Sequence, residues 1–134
     1  MIPRTMKAVL LKGHGGLEQL EYRDDVPVPT PAAGEVLVQV GAAAVNNTDV
    51  NTRIGWYSKS VATATADAVA HTANEATDGG WAGNPFVFPR IQGTDVCGRI
   101  VAVGAGVSQA RIGERVLVDP VLLPADGSFE NVGY

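Results

Sequence analysis

The sequence predicts a mainly β, barrel-like domain with one or two short helices. Short β-rich apolar runs recur along the chain, glycine and proline separate them, and a pair of asparagines introduces one helical segment. The chain has 134 residues, which is enough for one hydrophobic core but not for two. We therefore treat residues 1–134 as one domain.

The first two strands are predicted as a hairpin. Residues 6–12 form a β-rich run that ends at Gly13-His-Gly-Gly16, and residues 17–23 are predicted as the second strand. Residues 26–31 contain three prolines, which cannot donate backbone hydrogen bonds. This segment is predicted as an extended linker.

The third strand and the helix follow. Residues 36–45 are apolar nearly throughout, which predicts a strand buried on both faces. Asn46 and Asn47 come next, and either residue suits the N-cap of a short helix over residues 48–53, which ends near Gly55.

Residues 58–85 differ in character from the rest of the chain. Ala, Thr, Ser, Asp and Gly dominate there, and apolar periodicity is weak. A stretch this long without regular structure is either functional or partly disordered, so we predict a surface loop or insertion. Within it, residues 62–76 are compatible with a marginal helix.

Two further strands are predicted in the second half. Residues 93–104 form a strand with glycines at its start, near its middle and at its end, and residues 104–107 form a turn. Residues 112–118 form the next strand, and the last sixteen residues show no strong period.

Composition excludes several functions. The net charge is −4 and no Lys/Arg cluster is dense enough to read a phosphate backbone, which argues against a nucleic-acid partner. The apolar runs are too short to cross a bilayer, and no apolar signal segment begins the chain. A single Cys rules out an internal disulfide. We expect a cytoplasmic protein with no membrane partner.

Four blocks in order resemble the N-terminal GroES-like domain of the medium-chain dehydrogenase/reductase superfamily. They are residues 6–9, 34–40, 45–57 and 88–104, the last completed by Gly113-Glu-Arg-Val116. The resemblance implies a GroES-like, partly open β-barrel. The connection at 58–85 is longer than in the commoner members.

Full enzymes of this superfamily continue into a Rossmann domain that binds NADPH or NADH, with NADPH favoured. Gly13-His-Gly-Gly16 lacks a following helix, and Gly104-Ala-Gly106 joins two strands, so neither is a dinucleotide loop. We expect a substrate-side domain truncated at its C-terminus, without the cofactor domain and inactive alone. The resemblance also implies a small-molecule substrate and a homodimer of the full-length protein.

The resemblance also bears on metal binding. Zinc members bind the metal through a Cys and through the His of a Gly-His-Glu block. Here these positions hold Asn46 and Gly93-Thr94-Asp95, so no zinc is expected. Residues 45–57 instead resemble quinone oxidoreductases and enoyl reductases. By that resemblance Asn46, Tyr57 and Thr94 are the candidate catalytic residues, and Asn46, Asn47 and Asp49 are the candidate cofactor contacts.

Each candidate has a plain structural alternative. Asn46 and Asn47 can simply cap the helix. Asp49 can pair with Arg53 on the helix surface, or it can cap or brace the loop. Tyr57 can be ordinary packing, and Thr94 an ordinary strand residue. In addition, Asn51 stands where many quinone-reductase-like members have a Tyr, which weakens the case for a tyrosine proton donor.

The remaining chemically interesting residues are expected to be structural. Asp95 is expected to hold structure rather than transfer protons, and Cys97 to be an inert buried thiol. His14 and His71 are expected to be exposed loop residues. Trp56 and Trp81 fit an apolar pocket or ordinary packing equally well.

The sequence thus predicts the substrate-side domain of an NAD(P)H-dependent oxidoreductase that reduces a quinone, enone or carbonyl without zinc. An alcohol dehydrogenase-like enzyme acting on an alcohol or aldehyde is one alternative. A stand-alone GroES-like binding module is the other.

Overall fold

The computed structural model describes residues 1–62, 77–80, 86–122 and 130–131. Within these ranges the structure is mainly β with one α-helix, as predicted. The elements in chain order are β1 (Thr5–Leu11), β2 (Leu20–Pro27), β3 (Val36–Ala43), α1 (Asn47–Arg53), β4 (Val96–Val103), β5 (Arg115–Leu117), β6 (Val121–Leu122) and β7 (Glu130–Asn131). In these ranges the strands form separate antiparallel sheets rather than one closed barrel.

The predicted hairpin is confirmed, with shifted boundaries. β1 pairs with β2 from Leu11↔Leu20 to Thr5↔Pro27, around the glycine-rich loop. Leu17–Gln19 forms a 3-10 turn rather than the start of a strand. The predicted linker begins later than expected, because Pro27 ends β2, where its missing N–H breaks no interior rung of the ladder.

β3, β4 and β5 form a three-stranded antiparallel sheet with β4 in the centre. Val38 lies opposite Ile100, whose side chain is only 1% exposed and forms the core of this sheet. The prediction that residues 36–45 are buried on both faces is wrong. From Gln39 onward β3 is exposed, with Val40 at 57%, because the strand lies at the edge of the described sheet and pairs only with β4.

Gly98 lets β3 and β4 approach closely. A Cβ at this position would lie 2.1 Å from the carbonyl oxygen of Gln39 and 2.8 Å from Cγ1 of Val38. These distances are far below van der Waals contact, so the ladder as built requires glycine here. The pairing register also shifts on either side of this region, between Leu37 and Val38 and between Val40 and Ala42.

A second group of buried apolar side chains comes from the hairpin, the end of the helix and the segment that begins at Phe86. Leu11 at the end of β1, Ile54 at the end of α1 and Phe86 are all buried. Leu11 and Arg90 exchange two backbone hydrogen bonds, of 2.8 and 3.0 Å, in an isolated antiparallel bridge. This bridge fastens the segment that begins at Phe86 to the end of the hairpin next to α1.

The remaining predictions concern the second half of the chain and the segment after Tyr57. The second-half strands are confirmed but shorter than predicted, and the turn after β4 is present, with Gly106 at φ 82°. The C-terminal region, expected to lack a period, contains the β6–β7 pair. The marginal helix predicted over 62–76, together with His71 and Trp81, lies outside the described residues apart from Ala62 at its edge. The described residues include no helix long and apolar enough to span a membrane.

Replacing Gly98 with Ala should destabilise the protein by about 1–3 kcal/mol, because the methyl group cannot fit between β3 and β4. Urea unfolding with a two-state fit measures the change. Gly41→Ala is the matched control: a Cβ there would meet its nearest atom at 3.7 Å, and we expect a change within about 0.5 kcal/mol. Equal effects of the two variants would contradict this account of the sheet.

Candidate functional site

The N-terminal end of α1 is fixed by a capping box. Asn46 is the N-cap residue in extended conformation, and Asp49 is the N3 residue. The buried Asp49 carboxylate accepts the backbone N–H of Asn46 at 2.6 Å. A capping box satisfies backbone donors that a helix start leaves free, so this pair holds the Asn46 backbone rigidly at the entrance of α1.

A second segment, 49 residues further along the chain, contacts the same helix end. Asn46 Nδ2 donates a hydrogen bond to the Asp95 carboxylate. Gln92 Nε2 donates to the carbonyl oxygen of Asp49 at 3.2 Å. Gly93, at φ 117°, lies beside the helix start. A Cβ added to Gly93 would be 3.7 Å from the Asp49 carboxylate. The helix start and residues 92–95 therefore form one cluster.

The predicted site residues divide between two places. Asn46 and Asn47 are exposed at the helix start, and Thr94 is half-buried beside Asp95. Tyr57 lies beyond the opposite end of α1, where its ring meets Trp56 edge-on at 5.4 Å. The structure thus joins Asn46, through Asp95, to the segment that carries Thr94.

The structure answers the alternatives for Asp49. Its side chain is only 7% exposed, so it does not lie on the helix surface as the first alternative required. It caps the helix start instead, as the second alternative stated. Asp95 accepts a hydrogen bond from the Asn46 side chain at this helix end.

The C-terminal end of α1 is held by the glycine-rich hairpin loop. His14 Nδ1 lies 2.8 Å from the carbonyl oxygen of Thr52, and Gly15 N–H donates to the carbonyl oxygen of Arg53 at 2.8 Å. The Arg53 guanidinium donates back to the carbonyl oxygen of Gly15 at 2.5 Å. The last carbonyls of a helix lack partners within it. The Gly55 N–H, at 3.1 Å, and His14 both bind the Thr52 carbonyl, whereas the loop supplies the donor to the Arg53 carbonyl.

The expectation that His14 is exposed is wrong. The side chain is 3% exposed, and its ring contacts Phe88 edge-on with centroids 4.9 Å apart. Phe86 packs on the same cluster, and the Arg90 guanidinium lies 4.7 Å above the Phe86 ring. No local pattern indicates this burial, because the hydrogen-bond partner of His14 is 38 residues away.

Polar side chains make up a large part of the buried set near α1. Asn51 and Thr52 of α1 are buried, and so is Ser58. The buried side-chain oxygens of Asn51 and Thr52 have no hydrogen-bond partner among the described residues. Alternation of apolar and polar residues predicts strands and helix faces, but it does not reveal a polar interior.

The prediction for Cys97 is also wrong. It was expected to be a buried thiol, but it is half-exposed on β4, a free cysteine opposite Leu117 of β5. β5 is short and Leu117 is 84% exposed, so little of the described chain covers this row of the sheet. Within the described ranges, no group of three or more His, Cys, Asp or Glu side chains is arranged to hold a metal ion.

The ends of the segment after Tyr57 are joined by a carboxylate. The Ser58 hydroxyl and the backbone N–H of Lys59 both bind the Asp78 side chain and lower its pKa below the ordinary value of 3.8. The bond from Lys59 N–H is 3.1 Å long. Asp78 therefore links residues 58–59 to residue 78 of the chain, and we call this contact the stem.

A family model and several known proteins match this chain, and their names are all those of alcohol dehydrogenases or oxidoreductases. The family model for the alcohol dehydrogenase GroES-like domain matches residues 32–132. A solved structure of a candidate alcohol dehydrogenase from Sinorhizobium meliloti 1021 is 47% identical, with a TM-score of 0.78 over 99% of this chain and 35% of that chain. The Escherichia coli CFT073 short chain alcohol dehydrogenase rspB, solved with NADH, is 30% identical, with a TM-score of 0.59 over 90% of this chain and 26% of that one.

A quinone oxidoreductase from Rattus norvegicus is also similar. It is 32% identical over 113 residues, which is 84% of this chain and 27% of the relative. The chain therefore spans between 26% and 35% of the length of these three proteins.

Replacing Arg53 with Met should destabilise the protein by about 1.5–3 kcal/mol, since it removes a charged, part-buried donor from the Gly15 carbonyl. The matched control is Arg99→Met. Arg99 makes the same kind of bond to Gly113 at 2.9 Å but is exposed, so we expect a change within about 0.5 kcal/mol. Chemical denaturation measures both, and a larger loss in the Arg99 variant would contradict the importance of this contact.

The stem contact should be sensitive to acid. Because the folded pKa of Asp78 is lowered, its stabilising contribution is complete above pH 3.8 and is lost as the pH falls through the lowered pKa. An NMR titration should show the Lys59 amide proton shifting with the Asp78 carboxyl carbon. In Asp78→Asn the amide oxygen still accepts, and the Lys59 shift should no longer titrate. A midpoint above 3.8 would contradict the assignment.

Proposed function

Because the chain belongs to the alcohol dehydrogenase GroES-like domain family of medium-chain dehydrogenases/reductases, we propose that it is the substrate-side domain of an NAD(P)H-dependent oxidoreductase. The substrate we propose is a quinone, enone or carbonyl, reduced without zinc. The observation that carries the proposal is the exposed amide of Asn46, held between the capping box and Asp95.

Asn46 is the proposed hydrogen-bond donor to the substrate oxygen. Reduction of a carbonyl, enone or quinone places negative charge on an oxygen, and a donor fixed in advance stabilises that charge. The Asn46 amide is restrained on both sides, since its backbone N–H binds Asp49 and its Nδ2 binds Asp95. A rigid donor loses little entropy when the substrate arrives.

Thr94 and Tyr57 are proposed as secondary polar contacts. Thr94 is half-buried next to Asp95, and its hydroxyl is suited to support an acceptor held near Asn46. Tyr57 follows the far end of α1 beside Trp56, which suits a wall of the substrate cleft better than a contact with the same oxygen as Asn46.

The nicotinamide cofactor would supply the hydride when bound, held mainly by a separate nucleotide-binding domain. The residues near α1 are compatible with such a group, since the carboxamides of Asn46 and Asn47 are exposed at one end of the helix. We propose that these two residues face it. Asp49, buried and engaged with the backbone of Asn46, would act on the cofactor only through its neighbour.

The donor set near the helix start supports chemistry without zinc. The Asn46 amide binds the Asp95 carboxylate there, and Thr94, which carries a hydroxyl, directly precedes Asp95 in the chain. Zinc in proteins is held mostly by thiolates and imidazoles, with carboxylates as supplementary ligands. The Asp95 carboxylate is already an acceptor for Asn46, so positioning a polar amide is the role that this set suits best.

An alcohol dehydrogenase-like activity on an alcohol or aldehyde is the second candidate. The observation in its favour is the 47% identity to a candidate alcohol dehydrogenase from Sinorhizobium meliloti 1021. The same hydrogen bond from Asn46 would serve an aldehyde oxygen. The preferred direction of the reaction and the choice between NADPH and NADH are properties of the whole enzyme. For the whole enzyme we propose NADPH as the cofactor, a cytoplasmic location and a homodimer.

The activity is tested with the full-length gene product after chelation and metal analysis. NADPH oxidation is followed against a panel of quinones, enones, aldehydes and ketones. Turnover by metal-free protein on quinones or enones supports the proposal. Turnover that depends on bound zinc, or that is confined to alcohols and aldehydes, would replace it with the second candidate. A reading frame without a nucleotide-binding domain would leave a binding module.

Within that assay, Asn46→Ser separates catalysis from capping. Ser is as good an N-cap as Asn, and loss of the exposed bond to Asp95 should change the stability by no more than about 0.5 kcal/mol. Loss of the amide donor should lower kcat/KM by about 10²–10³-fold. Asn46→Ala should lose the same activity and also about 1 kcal/mol of stability. If the Ser variant keeps full activity, Asn46 is only a helix cap.

A further inference from the structure

The hairpin loop reaches α1 from a distant part of the chain. Three hydrogen bonds join the loop to the last turn of the helix, and each spans 38 residues. Two of them, from His14 and from the backbone of Gly15, end on the carbonyls of Thr52 and Arg53. The loop therefore supplies donors to the C-terminal end of α1, whose C-cap residue is Ile54.

The hydrogen bond from His14 to Thr52 determines the tautomer of the His14 ring. A carbonyl oxygen only accepts hydrogen bonds, so Nδ1, at 2.8 Å from the Thr52 oxygen, must carry a hydrogen. Nε2 is buried and has no partner within the described chain. A hydrogen on Nε2 as well would make the ring a buried cation with an unpaired donor, which costs more than leaving the neutral nitrogen unpaired. The neutral Nδ1–H tautomer fits both observations.

The ring is enclosed on its other sides. Phe88 contacts it edge-on, and Phe86 lies at 6.1 Å, tilted by 42°. Gly79 closes the Nε2 side: a Cβ at that position would lie 2.3 Å from Nε2. Charged groups near this cage include the Arg53 guanidinium on the Gly15 carbonyl, the Arg90 guanidinium on Phe86 and the Glu18 carboxylate on the Gly16 N–H. A ring so confined has one available orientation.

We propose that His14 is a positioning residue for the site, held as the Nδ1–H tautomer. Its single orientation fixes the C-terminal end of α1, while Asp49 and Asp95 fix the N-terminal end at Asn46. A helix of seven residues has too few internal hydrogen bonds to hold its direction alone. The direction of α1, and with it the placement of the Asn46 amide, depends on His14. This inference rests on the proposed function.

The test compares two replacements of His14 in the full-length protein. In the His14→Asn variant the side-chain N–H₂ takes the place of Nδ1–H, so the donor to Thr52 is kept. His14→Phe keeps the ring among Phe86 and Phe88 but removes the donor. We expect His14→Phe to lower kcat by at least about tenfold, with KM within about threefold, because a displaced donor weakens the transition state more than the ground state. His14→Asn should restore most of kcat.

Two readouts do not depend on activity. Long-range ¹H–¹⁵N NMR on the wild-type protein should show a protonated Nδ1 and an unprotonated Nε2. Gly79→Ala should disturb the ¹⁵N shifts of His14, because its methyl group meets the ring. Circular dichroism and thermal melting first establish the temperature at which every variant is folded.

Each outcome decides one point. An Nε2–H tautomer, or His14→Phe with unchanged kcat while folded, overturns the positioning role. A loss of kcat in His14→Phe that His14→Asn does not rescue also overturns it, since the donor to Thr52 would not be the cause. A wild-type protein without nicotinamide-dependent turnover refutes the proposed function instead, and the NMR result then still decides whether His14 is held as assigned.

Discussion

The hydrogen bonds between the Gly13–Gly16 loop and the last turn of α1 connect the parts of this domain. The hairpin of β1 and β2 ends at this loop, and the bridge between Leu11 and Arg90 joins the segment after Phe86 to the same point. The helix carries Asn46 at its other end, next to residues 92–95 that lead into β4. The contact of the loop with Thr52 and Arg53 therefore joins the hairpin to the helix that carries Asn46.

The interior around α1 is unusually polar, and this has an energetic consequence. Hydrogen bonds in a protein interior contribute modestly when made, but a buried polar group without a partner costs about 1–3 kcal/mol. The hydrogen bonds of His14, Thr52 and Arg53 thus strongly favour one orientation of α1 but add little to the net free energy of unfolding. An apolar interior of equal volume would stabilise the fold at least as well but would define the helix direction less sharply.

The two ends of α1 have different roles in this arrangement. The C-terminal end is enclosed by aromatic rings and glycines, and its contacts are structural. The N-terminal end combines the buried Asp49 with the exposed carboxamides of Asn46 and Asn47. A site with a rigid supporting layer and a polar surface is what a reaction that depends on donor placement requires. The long segment after Tyr57 begins from a stem that Asp78 closes.

Local patterns in the sequence determined much of this protein. The alternation and punctuation of its residues predicted the strands, and Asn46 with Asp49 three residues later is a cap signal that depends only on neighbours. Four blocks in fixed order were sufficient to indicate the family, which the match over residues 32–132 shows. Only the tertiary structure decided the burial of His14, the exposure of β3 beyond Gln39 and the pairing of Asn46 with Asp95. Those features join residues far apart in the chain, and no local propensity encodes which distant atom a side chain will meet.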